Sequence, residues 1–208
     1  MLIKFKGLVT TDDLNQEDWS LFKHFDEIKE EFPDFQLLAF FTPFWKIKQE
    51  NFKIDLEKPE DIIKPEFMKF LQERKDWLSL GSHGLFHHIA EYSADIKFQK
   101  IMFSISKTLK EYLNSQGIKF QSVCKPPFYK WNEISFSLSK EFGFDQLFIQ
   151  QGIFDFISNR LIPREKLNLV DSHVSVGCPM PDRIDLFKDK LRDILSGKLK
   201  DSKKFHYD

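Results

Sequence analysis

The chain has 208 residues, 41% of them hydrophobic, and its 31 basic and 32 acidic side chains leave a formal net charge of −1. This length suits a single domain with a complete hydrophobic core. Because the charges nearly cancel, the chain offers no broad basic surface for a phosphate backbone. We therefore expect no nucleic-acid partner.

The cysteines and the N-terminal residues favour a reduced, cytoplasmic protein. Cys124 and Cys178 are the only cysteines, and their wide separation favours free thiols over a structural disulfide. Residues 1–6 lack the apolar stretch of a signal peptide, and no segment reaches the ~20 apolar residues of a membrane span. We therefore expect cytoplasmic localisation and no membrane span.

The first predicted elements are two strands separated by a helix. Residues 2–10 predict a strand that ends at the polar residues 11–13, and an apolar stripe predicts a helix over 17–31, stopped by Pro33. Residues 36–42 form a continuous apolar run, which is typical of a strand buried on both faces.

A long polar segment with scattered aromatic residues follows, over residues 43–65. Loops of this length often border a site, although a surface excursion with a few packed aromatic rings explains the pattern equally well. Further along the chain, residues 77–82 predict a strand and residues 98–113 a long amphipathic helix.

The last predicted elements are three strands and two helices. The strands are 120–124, 146–149 and 168–171; the helices are 132–142 and 182–195. Strands that alternate with helices at this spacing predict a parallel α/β architecture. We expect one catalytic domain over residues 1–197, followed by a polar, loosely held tail over 198–208.

Two adjacent carboxylates, Asp12 and Asp13, follow the first predicted strand. Parallel α/β proteins place their sites at the carboxyl ends of strands. Neighbouring carboxylates repel each other, and a bound cation or a catalytic role compensates for that repulsion. A helix cap at Asp13 and a turn role for Asp12 are the structural alternatives.

Three of the six histidines lie in the short window 83–88, after another predicted strand. His83 and His87 are four residues apart, so one helical turn or a tight loop can place both imidazoles on one side. Two histidines and one carboxylate match the three protein ligands of an open catalytic zinc site. Packed or solvent-exposed histidines are the alternative, and we expect His88 to face elsewhere.

Two further clusters follow later strands. The first, residues 125–132, contains two prolines and the aromatic residues Phe128, Tyr129 and Trp131. Its aromatic rings can form a platform for a sugar or pack into the core. The second is His173, which follows the last predicted strand; a lone histidine also has a purely structural explanation.

Taken in order, these clusters resemble the motifs of the polysaccharide deacetylase (NodB-homology) superfamily, carbohydrate esterase family 4. Thr-Thr-Asp-Asp at 10–13 matches its Thr-x-Asp-Asp motif, and His83 and His87 match its pair of histidines. Lys-Pro-Pro-Phe at 125–128 is similar to its Arg-x-Pro-aromatic motif. Val-Asp-Ser-His at 170–173 is similar to its last motif.

The double proline and the Trp131-Asn132 sequence resemble a divergent branch of the superfamily, and two departures from its motifs accompany them. Lys125 stands where the family has an arginine, and lysine lacks the planar, two-pronged hydrogen bonding of a guanidinium. We find no match to the fourth family motif, because Asp145 is not followed by a tryptophan.

The resemblance implies a fold, a metal and a set of roles. The fold is a distorted (β/α) barrel of about seven parallel strands in a single domain. Zn²⁺ or another divalent transition metal would be held by Asp13, His83 and His87. Asp12 would act as base and His173 as acid, with Lys125 supporting Asp12. The residues expected to bind substrate are Phe128, Tyr129, Trp131 and Trp45.

The implied reaction is removal of an N-acetyl, or an O-acetyl, group from a sugar or glycan by metal-activated water. Two alternatives remain open. One is a hydrolase of another amide or ester that uses the same metal site. The other is a catalytically impaired relative that binds a glycan. The sequence names neither the substrate nor the oligomeric state.

Overall fold

The computed structural model describes residues 8–45, 58–167, 169–172, 188–189 and 191–196. Its strands are β1 (Leu8–Leu14), β2 (Leu37–Phe41), β3 (Leu78–Ser82), β4 (Phe120–Cys124), β5 (Gln146–Ile149), β6 (Gly152–Asp155), β7 (Arg160–Pro163) and β8 (Leu169–Ser172). Its helices are α1 (Lys23–Glu31), α2 (Pro65–Arg74), α3 (Ile96–Ser115) and α4 (Glu133–Glu141).

All eight strands form one sheet in the order β7-β6-β5-β4-β3-β2-β1-β8. Six strands pair in parallel, in the spatial order β5-β4-β3-β2-β1-β8. Strand β6 pairs antiparallel with both β5 and β7. The predicted α/β class is confirmed, and the observed sheet is mostly parallel. The difference from about seven parallel strands is the β6–β7 hairpin, which the sequence analysis did not predict.

Residues 156–159 form the turn of the hairpin. Asp155 accepts hydrogen bonds from the Ser158 amide at 2.8 Å and from its hydroxyl at 3.1 Å, and Asn159 takes a positive φ of 52°. Asparagine tolerates this left-handed conformation better than most residues. The resulting turn lets the chain fold back on the edge of the parallel sheet.

Strand β2 is buried along its whole length and divides the core into two parts. On one face, the Phe41 ring stacks on Phe67 of α2 at 5.2 Å, within the large cluster that the helices cover. On the other face, Phe40 meets Phe148 of β5 edge to face at 4.9 Å. This smaller, inner cluster comprises Leu38, Phe40, Val123, Phe148 and Ile153.

Several predicted boundaries are confirmed, but the start of the first helix is wrong. Strands β2 to β5 lie where the sequence analysis placed them, and α3 and α4 lie within two residues of their predicted ends. The helix predicted from residue 17 begins only at Lys23, after a 3-10 turn at Ser20–Phe22. The side chain of Asn15 accepts hydrogen bonds from the amides of residues 17 and 18, which holds these residues in a turn instead.

Helix α2 was not predicted. Pro65 occupies its first turn, where the missing amide hydrogen costs nothing, and Phe67, Phe70 and Leu71 form its buried stripe. Only residues 188–189 and 191–195 of the predicted C-terminal helix are described, and they are helical. Among the described helices, none combines the length and the apolar character that crossing a bilayer requires.

Candidate metal centre

The two adjacent carboxylates lie on an irregular stretch of β1. The pairing of β1 with β2 shifts register between Thr11 and Leu14, and Asp13 has a φ of +62°. We predicted that the strand would end at residues 11–13, but it continues to Leu14. Neighbouring side chains of a regular strand point to opposite faces. The irregularity instead gives Asp12 and Asp13 separate sets of partners at the same strand end, and both are buried.

Asp13 meets both predicted histidines. Its Oδ1 atom lies 3.2 Å from Nε2 of His83 and 2.9 Å from Nε2 of His87. One ligand atom from each of the three residues falls within 4.8 Å of the others. Ligands at about 2.1 Å from a tetrahedral zinc ion lie about 3.4 Å apart, so this donor set has the dimensions of a metal site.

His83 is oriented by the backbone of the neighbouring strand end. Its Nδ1 lies 2.6 Å from the carbonyl oxygen of Lys125. Because a carbonyl can only accept, Nδ1 carries the proton and donates, and Nε2 is left facing Asp13. A second hydrogen bond of this kind is the usual way in which proteins orient a metal-binding imidazole. The residues present therefore fit a divalent metal.

Hydrogen bonds and neighbouring charges favour the ionised forms of Asp13 and His83 despite their burial. Burial disfavours ionisation of Asp13, but hydrogen bonds from His83 and His87 outweigh it and hold the pKa of Asp13 well below its ordinary value. Burial likewise disfavours the imidazolium of His83, yet the hydrogen bond to Asp13 and the charge of Asp12 raise its pKa. The carboxylate is thus kept ionised, as a metal ligand must be.

Asp12 pairs with Lys125 instead of the histidines. The Oδ2 atom of Asp12 lies 2.7 Å from Nζ of Lys125, and each side chain is only 1% exposed. The ammonium also lies over two aromatic rings, at 5.4 Å from the Phe40 centroid and 5.0 Å from that of Tyr129. Lysine thus occupies, with one point charge, the place that the resemblance assigns to an arginine.

The predicted substrate-binding aromatic residues fall into two groups. Trp45 and Phe128 contact the His87 ring, at centroid distances of 4.7 and 4.9 Å, and Phe128 is 56% exposed. Tyr129 packs on Lys125. Trp131 is also exposed, but its ring contacts Phe136 of α4, at a centroid distance of 5.9 Å, instead of a histidine ring.

The remaining predicted residues differ in what the structure describes. His173, the predicted acid, lies outside the described residues, as do most of residues 43–65 after Trp45. Strand β8, which precedes His173, pairs with β1 through Thr11↔Ser172. His88 is exposed, and its Nδ1 accepts a hydrogen bond from the Ala90 amide at 3.2 Å.

Two residues beside the histidines were not predicted from the sequence. Thr42 donates from its hydroxyl to the carbonyl of His83 at 3.2 Å. Glu91 is fully buried, and its carboxylate accepts from the amides of Leu85 and Phe86. Burial raises the pKa of Glu91 to about 7, and these hydrogen bonds offset only part of that increase. The available signal was a single carboxylate, Glu91, four residues after His87.

Comparison with known proteins finds relatives by structure alone. No protein-family model matches the chain, and no curated protein matches it significantly. A family 4 carbohydrate esterase from Streptomyces lividans superposes with a TM-score of 0.53 at 12% identity, over 92% of this chain and 88% of that one. A peptidoglycan N-acetylglucosamine deacetylase gives 0.56 at 14% identity, over 92% and 81%.

A family 4 pseudoenzyme from Bacillus anthracis also superposes, with a TM-score of 0.53 at 12% identity. It is matched over 91% of this chain, which spans 62% of that protein's length. The chain therefore has the fold of the family 4 carbohydrate esterases, as the motifs predicted. Because the same fold occurs in active and inactive proteins, an argument for activity depends on the site.

Proposed function

We propose that this protein is a metal-dependent hydrolase that removes an acetyl group from the nitrogen, or the oxygen, of a sugar or glycan. The observation that carries the proposal is the convergence of Asp13, His83 and His87 beside a separately paired carboxylate, Asp12. This arrangement provides one set of ligands and one proton acceptor at the same end of the sheet.

Asp13, His83 and His87 are the proposed ligands, and zinc or another divalent transition metal suits two imidazoles and a carboxylate. Such a metal, when bound, polarises a carbonyl and lowers the pKa of a bound water to about 7. His83 is already fixed by the Lys125 carbonyl, so it need not reorient to bind.

Asp12 is the proposed base. Its carboxylate accepts the proton of the attacking water, and Lys125 holds it in position through the 2.7 Å ion pair. A positioned base typically contributes about 10²–10⁴-fold to the rate. His173 is the proposed acid, which gives a proton to the departing amine or alcohol.

The turn after β4 is proposed to hold the acyl group and the sugar. Phe128 has a φ of +56°, so its backbone departs from the helical turn around it, and we assign its amide to the developing oxyanion. Its exposed ring and Trp45 flank His87 and supply apolar faces for a sugar ring. We also assign sugar contacts to Tyr129 and Trp131, which follow Phe128 in the same turn.

Acetate release tests the proposal directly. Protein stripped by a chelator and reloaded with Zn²⁺ or Co²⁺ is incubated with N-acetylglucosamine oligomers and, separately, with acetylated xylan. We expect acetate only from the reloaded protein. Asp12→Asn should retain metal but lose about 10²–10⁴-fold in turnover, and Asp13→Ala should lose the metal itself.

Two other functions would give different results. A hydrolase of another amide or ester would hold metal and cleave small acyl esters or amides while releasing no acetate from sugars. A catalytically impaired glycan-binding relative is favoured by Lys125 in the place of an arginine. It would bind the oligomers but release nothing. Metal retention with no turnover on any of these substrates would remove the support for the leading proposal.

A further inference from the structure

The two proposed histidine ligands are joined by a five-residue segment, 83–87, which we call the histidine turn. Its middle residues, Leu85 and Phe86, are buried, and His87 has a φ of +57°. A non-glycine residue in this left-handed region carries strain that the surrounding structure must hold in place. The position of His87 opposite Asp13 therefore depends on what fixes this turn.

Strand β2 and the residues just after it hold the first part of the histidine turn. The His83 amide donates to the carbonyl of Phe41 at 3.0 Å, and the Phe44 amide donates to that of Leu85 at 2.8 Å. These bonds fix the side of the turn next to β2. They leave the amides of Leu85 and Phe86, which lead into His87, to another partner.

That partner is the carboxylate of Glu91. The amide of Leu85 lies 3.3 Å from its Oε1 and 3.2 Å from its Oε2, and the amide of Phe86 donates to Oε1. Glu91 is fully buried, and a carboxylate is costly to bury unless hydrogen bonds satisfy it. The two amides provide those bonds, so the same contacts satisfy the buried carboxylate and fix the backbone of the turn.

Gly84 makes room for this contact. Its φ is +77°, and a Cβ atom built on it would lie 1.9 Å from Oε2 of Glu91. Any side chain at residue 84 would therefore push the carboxylate away from the amides. The glycine inside the turn and the glutamate after it form one structural unit.

We propose that Glu91 is a positioning residue that holds the histidine turn in the conformation in which both imidazoles meet Asp13. It touches neither substrate nor metal and acts through the backbone of Leu85 and Phe86. The proposal rests on the proposed function only in that the imidazoles are taken as metal ligands.

The experiment compares Glu91→Ala, Glu91→Gln and Asn114→Ala with the unaltered protein. Glutamine keeps an oxygen that can accept from both amides. Asn114 also holds backbone with its side chain, bonding the Phe120 amide and carbonyl at the opposite end of β4. It is therefore a control for destabilisation alone. Hydrogen exchange of the Leu85 and Phe86 amides and Co²⁺ affinity by visible absorption are measured for each.

We expect Glu91→Ala to lose protection at these two amides and about 10- to 100-fold in Co²⁺ affinity, as is typical when a partner of a metal ligand is removed. Glu91→Gln should restore both properties, and Asn114→Ala should change neither. Protection of both amides at the unaltered level in Glu91→Ala would overturn the proposal, as would equal losses in Asn114→Ala.

The two proposals can fail separately. If the unaltered protein takes up no Co²⁺, the metal centre is wrong, and the exchange measurement still decides whether Glu91 holds the turn. If Co²⁺ binds to Glu91→Ala with unchanged affinity, the metal centre stands and the positioning role is wrong.

Discussion

At the scale of single residues, the ion pair between Asp12 and Lys125 is the most consequential contact of the site. Both side chains are almost fully withdrawn from water, where an ionised group is tolerated only with a partner. The flanking rings of Phe40 and Tyr129 exclude water from the ammonium. The pair therefore couples the stability of the fold to the presence of the proposed base.

Replacing Lys125 by methionine should destabilise the protein by about 3–5 kcal/mol, because it removes the cation beside a buried carboxylate. Urea unfolding followed by circular dichroism measures the change. Lys125→Arg keeps the charge and should cost much less. A Lys125→Met protein as stable as the unaltered one would show that the pair contributes nothing to folding.

Two glycines with nearly equal positive φ allow the cost of backbone strain to be measured separately from the cost of a steric clash. Gly84→Ala and Gly117→Ala both force alanine into the left-handed region, at a cost of about 1–3 kcal/mol each. A Cβ at Gly117 meets nothing within 4 Å, whereas one at Gly84 meets Glu91. Thermal unfolding should show the larger loss for Gly84→Ala, and only this variant should also lose Co²⁺ affinity. Equal effects on both measurements would contradict the assigned contact.

At the scale of elements, the sheet brings the site together and the connections after its strands complete it. Asp12 and Asp13 come from β1, the histidines follow β3, and Lys125 follows β4. Because these strands are parallel, their carboxyl ends meet at one edge of the sheet. The connection from β3 to α3 adds Glu91, a buried group whose protonation state can therefore affect the site.

Stability should therefore depend on pH through Glu91. Its pKa is raised to about 7 in the folded protein from 4.5, so the folded state binds the proton more tightly. The resulting stabilisation is fully present below pH 4.5 and is lost as the pH rises through 7, by about 3 kcal/mol in all. Glu91→Gln, which cannot ionise, should flatten this part of the profile of unfolding free energy against pH. An unchanged slope in that variant would assign the dependence to other groups.

The sequence predicted elements with a single strong signal and missed those whose signal was mixed. The continuous apolar run of β2 allowed one interpretation, and the strand lies where it was expected. Helix α2 was missed because a proline at its start made the segment resemble the end of a loop. The turn at residues 17–19 was missed because the Asn15 contacts that form it compete with a helix and leave no periodic trace.

For the site, the sequence indicated which residues come together but not how they divide into pairs. Placement at strand ends predicted that Asp12, Asp13 and the histidines would be close. The register shift in β1, which directs Asp12 to Lys125 and Asp13 to the histidines, depends on pairing with β2. Glu91 was missed because its role is to hold backbone, and amides have no signature in a sequence.

At the scale of the whole molecule, one sheet covered by helices gives a rigid frame in which the proposed ligands are set before any metal arrives. His83 is held by a backbone carbonyl, and the histidine turn is held by Glu91. A site ordered in advance binds without a further cost of ordering. Metal binding should thus add to the stability of the folded state with little change of structure.

Zn²⁺ at about 100 times its dissociation constant should stabilise the protein by about 2.7 kcal/mol, which is about 5–10 °C in melting temperature for a domain of this size. Differential scanning fluorimetry with and without a chelator measures the shift. Asp13→Ala should show none, and Mg²⁺ should have little effect on a site with two imidazoles. A shift retained in Asp13→Ala would place the metal elsewhere.

The irregularity in β1 also has an evolutionary consequence. The neighbouring carboxylates have different direct partners, since Asp13 meets the two histidines and Asp12 pairs with Lys125. A substitution that removes one carboxylate therefore leaves the direct contacts of the other in place. In terms of the proposed roles, one amino-acid change at residue 12 would remove the base and leave the three ligands and the exposed Phe128 ring in place. Under the proposed function, a single substitution would therefore separate a hydrolase from a protein that only binds metal and glycan.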